Sequence, residues 1–323
     1  MKNYLLTLLY STASVFGVAL PTTGWTAYPE KPIRLIVSFP PGSGTDTNAR
    51  YAAKNMSEKL GVPVLVENKP GGNSFIAAEA VSNAKPDGYT LLFASNSPVA
   101  TNVAMFKSLP YDPVKDLTPL AKLSYGAMGV AVNASAPYET IEQLLSYAKA
   151  HPDKMNYGSG SASYRIATEL FLSMAQITAR QIPYKGASPA LTDLASGQVD
   201  FVFADYGAIL PLAKAGKVKI IAVTGTNRLA SAPSIPTLKE LGYPEYYMVN
   251  WTAAFGPAGL PNDVSALLSK TLEDIYSTED ANAFLAKINW EAFPGGAEAL
   301  AQFQRDEIER WSSAANRAGI PKQ

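Results

Sequence analysis

Short apolar runs alternate with amphipathic stretches along most of the chain. Residues 33–37 are apolar and predict a strand. Residues 47–60 place Ala49, Ala52, Ala53, Met56 and Leu60 on one helical face, and Gly61 ends the pattern. The same alternation continues with strands at 62–66 and 89–94 around a helix at 74–84. After Leu109-Pro110-Tyr111-Asp112-Pro113 it resumes with strands at 129–133, 155–158, 180–184, 199–204 and 218–223. Helices are predicted at 141–150, 164–175, 189–196 and 207–215. Residues 249–255 form a further apolar run, and the rest is mostly helical, including 263–276 and 297–318. Apolar runs that do not alternate, separated by helices, predict α/β blocks with a parallel sheet covered on both faces.

Two of these strands run into loops of small residues that open a helix. The first is Phe39-Pro40-Pro41-Gly42-Ser43-Gly44-Thr45-Asp46. The first turn of a helix has backbone N–H groups without internal partners, and the helix dipole makes that end partly positive. Gly42 and Gly44 permit a sharp turn and close approach of a ligand. Ser43 and Thr45 add hydroxyl donors, and Thr45 or Asp46 is the expected cap. The pattern also fits a plain strand-to-helix turn. It lacks the Gly-Lys-Ser/Thr end of a nucleotide loop, and Thr47 stands where a dinucleotide loop needs its third glycine. The second loop is Tyr157-Gly158-Ser159-Gly160-Ser161-Ala162-Ser163. Ligands of open parallel sheets sit at the carboxyl ends of strands, so two such loops facing each other across a hinge would enclose a cleft.

Composition narrows the chemistry. The 323 residues, 47% hydrophobic, suffice for one large or two ordinary domains. Lysine plus arginine number 27 and aspartate plus glutamate 27, so the net charge is zero and no nucleic-acid partner is indicated. The absence of cysteine removes disulfides, thiolate metal sites, cysteine nucleophiles and a lipidated N-terminal cysteine. The single histidine, His151, falls at a helix end beside proline and reads as a solvated residue. No metal site and no cofactor is expected. Tyr111 and Lys115 have the spacing of a dehydrogenase pair, but Pro113 breaks the helix that would align them. A serine hydrolase lacks its base and its elbow motif. No enzyme activity, and so no catalytic residue, is expected.

The N-terminus differs in character. Lys2 precedes a nearly uncharged apolar run over residues 4–20, followed by Pro21-Thr22-Thr23-Gly24-Trp25-Thr26-Ala27. This predicts a cleavable signal peptide over residues 1–27, with cleavage after Ala27 or after Gly24, and export to the periplasm. An uncleaved anchor is the alternative, although the run is short for a span.

Motifs in order along the chain resemble one family. They are Tyr28-Pro29-Glu30-Lys31-Pro32-Ile33-Arg34, the loop from Phe39 to Asp46, Val66-Glu67-Asn68-Lys69-Pro70-Gly71 and Pro86-Asp87-Gly88-Tyr89-Thr90-Leu91. Leu109-Pro110-Tyr111-Asp112-Pro113, Pro183-Tyr184-Lys185-Gly186, Pro189-Ala190-Leu191-Thr192-Asp193-Leu194 and Gly197-Gln198-Val199-Asp200 follow. Each is weak alone, but the series resembles the substrate-binding proteins of tripartite tricarboxylate transporters, the Bug receptors, across the chain after the signal. The resemblance implies a two-lobed flytrap (periplasmic-binding-protein) fold, with two parallel-type α/β domains joined by two crossing strands. The domains are placed at 28–128 with 252–323, and at 129–251. It implies capture of a small organic carboxylate in the interdomain cleft and delivery to an integral-membrane permease; the alternative is a co-receptor that presents ligand to a membrane sensor kinase. A monomer is expected.

The ligand contacts it implies are Pro41, Gly42, Ser43, Gly44, Thr45 and Asp46 on the first loop. On the second they are Gly158, Ser159, Gly160, Ser161, Ala162 and Ser163. Asn96, Ser97 and Asp205 stand where relatives line the cleft. Phe39, Tyr164 and Trp251 are candidates to flank an apolar ligand body, with at most one expected to touch it. Asp205 is otherwise a helix cap, or the partner of a ligand ammonium or hydroxyl. The second loop departs from the family pattern. It is about two residues shorter by direct count, and Arg165 falls near the place of a common histidine. Arg165 either binds a second acidic group of the ligand or lies on the helix surface.

Overall fold

The computed structural model describes residues 28–323; the expected signal peptide lies outside them. The first block opens with β1 (Ile33–Val37), α1 (Gly44–Leu60), β2 (Val64–Asn68), α2 (Phe75–Ser82) and β3 (Thr90–Ser95). A short 3-10 turn, Gly72–Ser74, leads into α2, and a π-helical turn, Ser97–Thr101, leads into α3 (Asn102–Met105). β1 lies between β2 and β3, parallel to both, with Leu35 opposite Val66 and Leu91. Ile33, Leu35 and Val37 are fully buried beside Ala49, Ala52 and Met56 of α1, so the apolar face read from the sequence is the face that packs.

The chain then runs through β4 (Leu117–Asn133), α4 (Ile141–Ala150), β5 (Asn156–Ser159), α5 (Ala162–Ala175) and β6 (Arg180–Pro183). It continues with α6 (Ala187–Ala195), β7 (Phe201–Asp205), α7 (Tyr206–Lys214), β8 (Val218–Val223) and β9 (Val249–Pro257). The last elements are α8 (Asn262–Tyr276), α9 (Glu279–Lys287), β10 (Trp290–Gly295) and α10 (Ala297–Arg317). In the second block β5 lies between β6 and β7, parallel to both. The sheets are therefore mixed rather than purely parallel. Parallel cores are joined by antiparallel strands β4 and β9, with β8 and β10 added antiparallel to β4.

β4 is 17 residues long, against the five expected from the apolar run at 129–133. Its first part pairs with β9 as far as Ala127, opposite Val249; from Met128, opposite Asp205, it pairs with β7. The strand thus leaves one sheet and enters the other within one residue, which produces the two lobes. α10 clamps this crossing. Glu307, buried on α10, accepts hydrogen bonds from Trp251 Nε1 at 2.7 Å and Trp311 Nε1 at 2.9 Å. Burial raises the Glu307 pKa, against the pull of Arg310 and the two indoles. α10 packs on α3 of the first lobe and on α5 of the second, so the last helix touches both.

Candidate ligand-binding cleft

The loop after β1 is held by its own side chains. Ser43, not Thr45 or Asp46, caps α1: its Oγ accepts from Asp46 N at 3.1 Å, and the helix starts at Gly44. Asp46 turns back into the loop. Its carboxylate accepts from Gly42 N at 2.9 Å, Arg50 Nε at 3.0 Å and Asn68 Nδ2 at 2.8 Å. The loop after β5 repeats the arrangement. Ser161 caps α5, accepting from Tyr164 N at 3.2 Å. Gly160 is required there, since a Cβ would stand 2.3 Å from the backbone of Gly186.

The two helix starts meet on one narrow, largely enclosed space of about 10 Å³ between the lobes. Phe39, Ser43, Gly44 and Thr45 line it from the first lobe, and Ser161, Ser163, Tyr164 and Asp205 from the second. It adjoins a more open cleft of about 200 Å³, below the usual range of about 300–1,000 Å³ for small-molecule sites. Several contacts among the described residues join the lobes around these spaces. Ser97 Oγ and Ser163 Oγ are 3.1 Å apart. A Cβ on Gly44 would stand 2.6 Å from Asp205 Oδ2, and one on Gly186 would stand 3.2 Å from Pro40 Cγ.

The polar groups on these walls are mostly neutral. Ser38 and Ser95 follow or end the apolar runs of β1 and β3, both buried, and their hydroxyls have no partner within the protein. Each lines one of the two spaces. Unmatched buried hydroxyls at strand ends are donors available to a ligand. Asp205 is also buried. Its carboxyl is hydrogen-bonded by Asn250 and makes no side-chain cap to α7. Burial raises its pKa, while hydrogen bonds from Asn250 and Tyr164 act against the rise.

Not every expected contact reaches the cleft. Pro41 is exposed at the loop tip. Gly42, at φ 82°, makes the turn and lines a separate groove beside α7. Asp46 is occupied within its loop. Asn96 is buried and pins β9, donating to Val249 O at 2.9 Å and accepting from Trp251 N at 3.2 Å. Gly158 is a packing position against Ala190 and Val202. Ser159 and Arg165 line a side cavity that Ser161 and Ala162 share with the cleft. Of the three aromatic candidates, Phe39 and Tyr164 line the enclosed cavity and Trp251 is core. Tyr111 is buried, donating to Pro98 O, and Lys115 is paired with Asp112 at the surface.

Sequence reasoning missed Ser38, Ser95, Asn73, Ser74, Asn250 and the segment from Tyr184 to Ser188. A polar residue directly after an apolar strand was the available signal for Ser38 and Ser95. Asn73 and Ser74 carry the left-handed backbone at φ 50° and 73°, which nothing in their sequence announces.

Comparison with known proteins places this architecture. Residues 48–320 match the model of the tripartite tricarboxylate transporter family receptor. Protein BugT of Bordetella pertussis is 31% identical over 94% of this chain and 94% of its own length. The structure of R. palustris Rpa4515 with adipate is 30% identical, with a TM-score of 0.89, over 92% of this chain and 100% of that one. MatC from Rhodopseudomonas palustris, with bound malate, is 28% identical at a TM-score of 0.83, over 89% of this chain and 99% of that one. The chain belongs to the tripartite tricarboxylate transporter receptor family.

Proposed function

We propose that this protein is an extracytoplasmic solute-binding protein that captures a small organic carboxylate between its lobes and delivers it to a tripartite tricarboxylate-type permease. One observation carries the reading: the starts of α1 and α5 meet on one enclosed cavity that no lysine or arginine of the described residues lines. Two helix ends and several hydroxyls hold a carboxylate without a buried counter-charge. Each hydrogen bond to the charged group contributes about 1.5–3 kcal/mol. Four or five suffice for roughly micromolar capture after the cost of association. Neutral donors also let the ligand leave, as delivery requires.

The carboxylate-bound relatives support the ligand class, and the family supports the permease and the periplasmic location. We place the lobes at residues 28–128 with 252–323 and at 129–251, with export directed by residues 1–27. The molecule is a binding protein and not an enzyme in this reading.

A thermal-shift screen of organic acids, nucleotides and sugars tests it. An acid at 100 times its dissociation constant adds about 2.7 kcal/mol of apparent stability. Stabilisation by a nucleotide or sugar, with none by any small acid, contradicts the proposal.

A further inference from the structure

The groove beside α7 lies across the contact between Gly44 and Asp205 from the enclosed space, and both residues, with Ala208, line both sides. It holds about 340 Å³, more than either space of the cleft. That is within the usual range of about 300–1,000 Å³ for small-molecule sites. Its walls come from both lobes. Leu210, Pro211 and Lys214 belong to α7 of the second lobe, and Lys287, Ile288 and Trp290 to the end of α9 and the start of β10 in the first. Two contacts join these walls. A Cβ on Gly207 would stand 2.6 Å from Ile288 O, and the Ser231 hydroxyl donates to the Asn289 side chain.

Trp290 is buried and Leu210 and Ile288 are half-buried, so the groove offers apolar surface that water covers at a cost. Lys214 and Lys287 are exposed, and neither belongs to an ion pair among the described residues. Each stands in the last turn of its helix, where a cation complements the dipole. Lining one groove together, they also place two positive charges on an otherwise largely apolar wall. Asp205 is the acid among the lining residues, and Asn250 already donates to its carboxylate.

We infer that this groove is a second binding site, for an amphipathic organic anion. Its aromatic or aliphatic body lies against Leu210, Pro211, Ile288 and Trp290, and its single acid group is held by Lys214 and Lys287. The apolar wall supplies most of the affinity, and the two cations select an anion over a neutral body of the same shape. Because the walls belong to different lobes, an occupant favours the arrangement in which the lobes touch. Occupancy therefore raises the affinity of the cleft for its own ligand, by the same factor as that ligand raises the affinity of the groove. This coupling rests on the carboxylate reading above; the groove itself does not.

The test is isothermal titration of the purified protein with naphthalene-2-sulfonate and with its neutral counterpart, naphthalene-2-sulfonamide. The wild-type protein is expected to bind the sulfonate at least about threefold more tightly than the sulfonamide. Replacing both cations, Lys214→Gln with Lys287→Gln, should weaken the sulfonate about 3- to 30-fold and bring it level with the sulfonamide, which should bind both proteins alike. Both lysines are exposed, so the double variant should melt as the wild type does. Equal binding of the two probes by the wild type, or an unchanged sulfonate affinity in the double variant, overturns the site. An acid that fills the cleft should tighten the sulfonate. Displacement of the sulfonate by that acid would place the probe in the cleft and refute the groove, and an unchanged affinity would refute the coupling. If no acid binds the wild type, the carboxylate reading fails and the coupling with it, while the lysine comparison still decides the groove.

Discussion

Asp46 shows how a residue in a binding loop can serve the loop instead of the ligand. Burial acts to raise its pKa, but the hydrogen bonds from Arg50, Asn68 and the Gly42 N–H outweigh that and hold it below the ordinary aspartate value. A carboxyl whose folded pKa is depressed contributes stability above its unfolded pKa, and that contribution is lost as pH falls through the folded value. Asp46→Ala is therefore expected to lower stability by about 1–3 kcal/mol at neutral pH, through the unmatched partners it leaves. The deficit should narrow as pH drops below about 4. Urea unfolding of both proteins across that range checks it; an unchanged deficit would show that the charged form of Asp46 does not matter. From the sequence alone Asp46 looked like a cap or a ligand contact. The three partners that occupy it are brought in by the tight turn, by the next turn of α1 and by β2, and only Arg50 stands at a readable helical spacing.

Among elements, the body of α1 was legible, but its start was not: the pattern places it at residue 47 with Thr45 or Asp46 as cap, and Ser43 caps a helix that begins at Gly44. Apolar strand, glycine turn and helical face lie in one contiguous stretch from Ile33 to Leu60, so local pattern sufficed. β4 was read as only its last five residues because Pro119, Lys122, Ser124 and Gly126 interrupt its apolar run. Its register shifts against β9 at two places, which accommodate those residues. β10 and α9 went unread for similar reasons: β10 contains Pro294 and Gly295, and α9 is short. The fit between elements is close where α1 begins against the end of β7. Alanine is a good residue for the first helical turn, so Gly44→Ala disturbs the helix little. Its Cβ would instead meet Asp205 Oδ2 at 2.6 Å and Trp290 at 3.2 Å. Because Asp205 belongs to the other lobe, the lobes are expected to separate rather than unfold. Ligand affinity should fall at least about tenfold, while the stability of the unliganded protein changes by less than about 1 kcal/mol. Unchanged affinity by titration calorimetry would mean that this contact does not govern closure.

At the scale of the whole molecule, two lobes share strands β4 and β9 and are clamped by α10, so the cleft is assembled from segments far apart in sequence. Pro40 meets Gly186, Ser97 meets Ser163, and Asn250 meets Asp205. No spacing along the chain encodes such meetings, which is why the second wall of the cleft was only partly legible. The two capped helix starts could be read one at a time; that they share one cavity depends on the crossing at Ala127 and Met128. In the proposed function, such a site holds its ligand by backbone donors from both lobes at once. The crystal structure of the protein with a bound organic acid tests this most directly. The account predicts a carboxylate within hydrogen-bonding distance of the first backbone N–H groups of both α1 and α5, from Gly44 and Ala162 onward. An acid bound to one lobe alone, or outside the cavity between them, would contradict it.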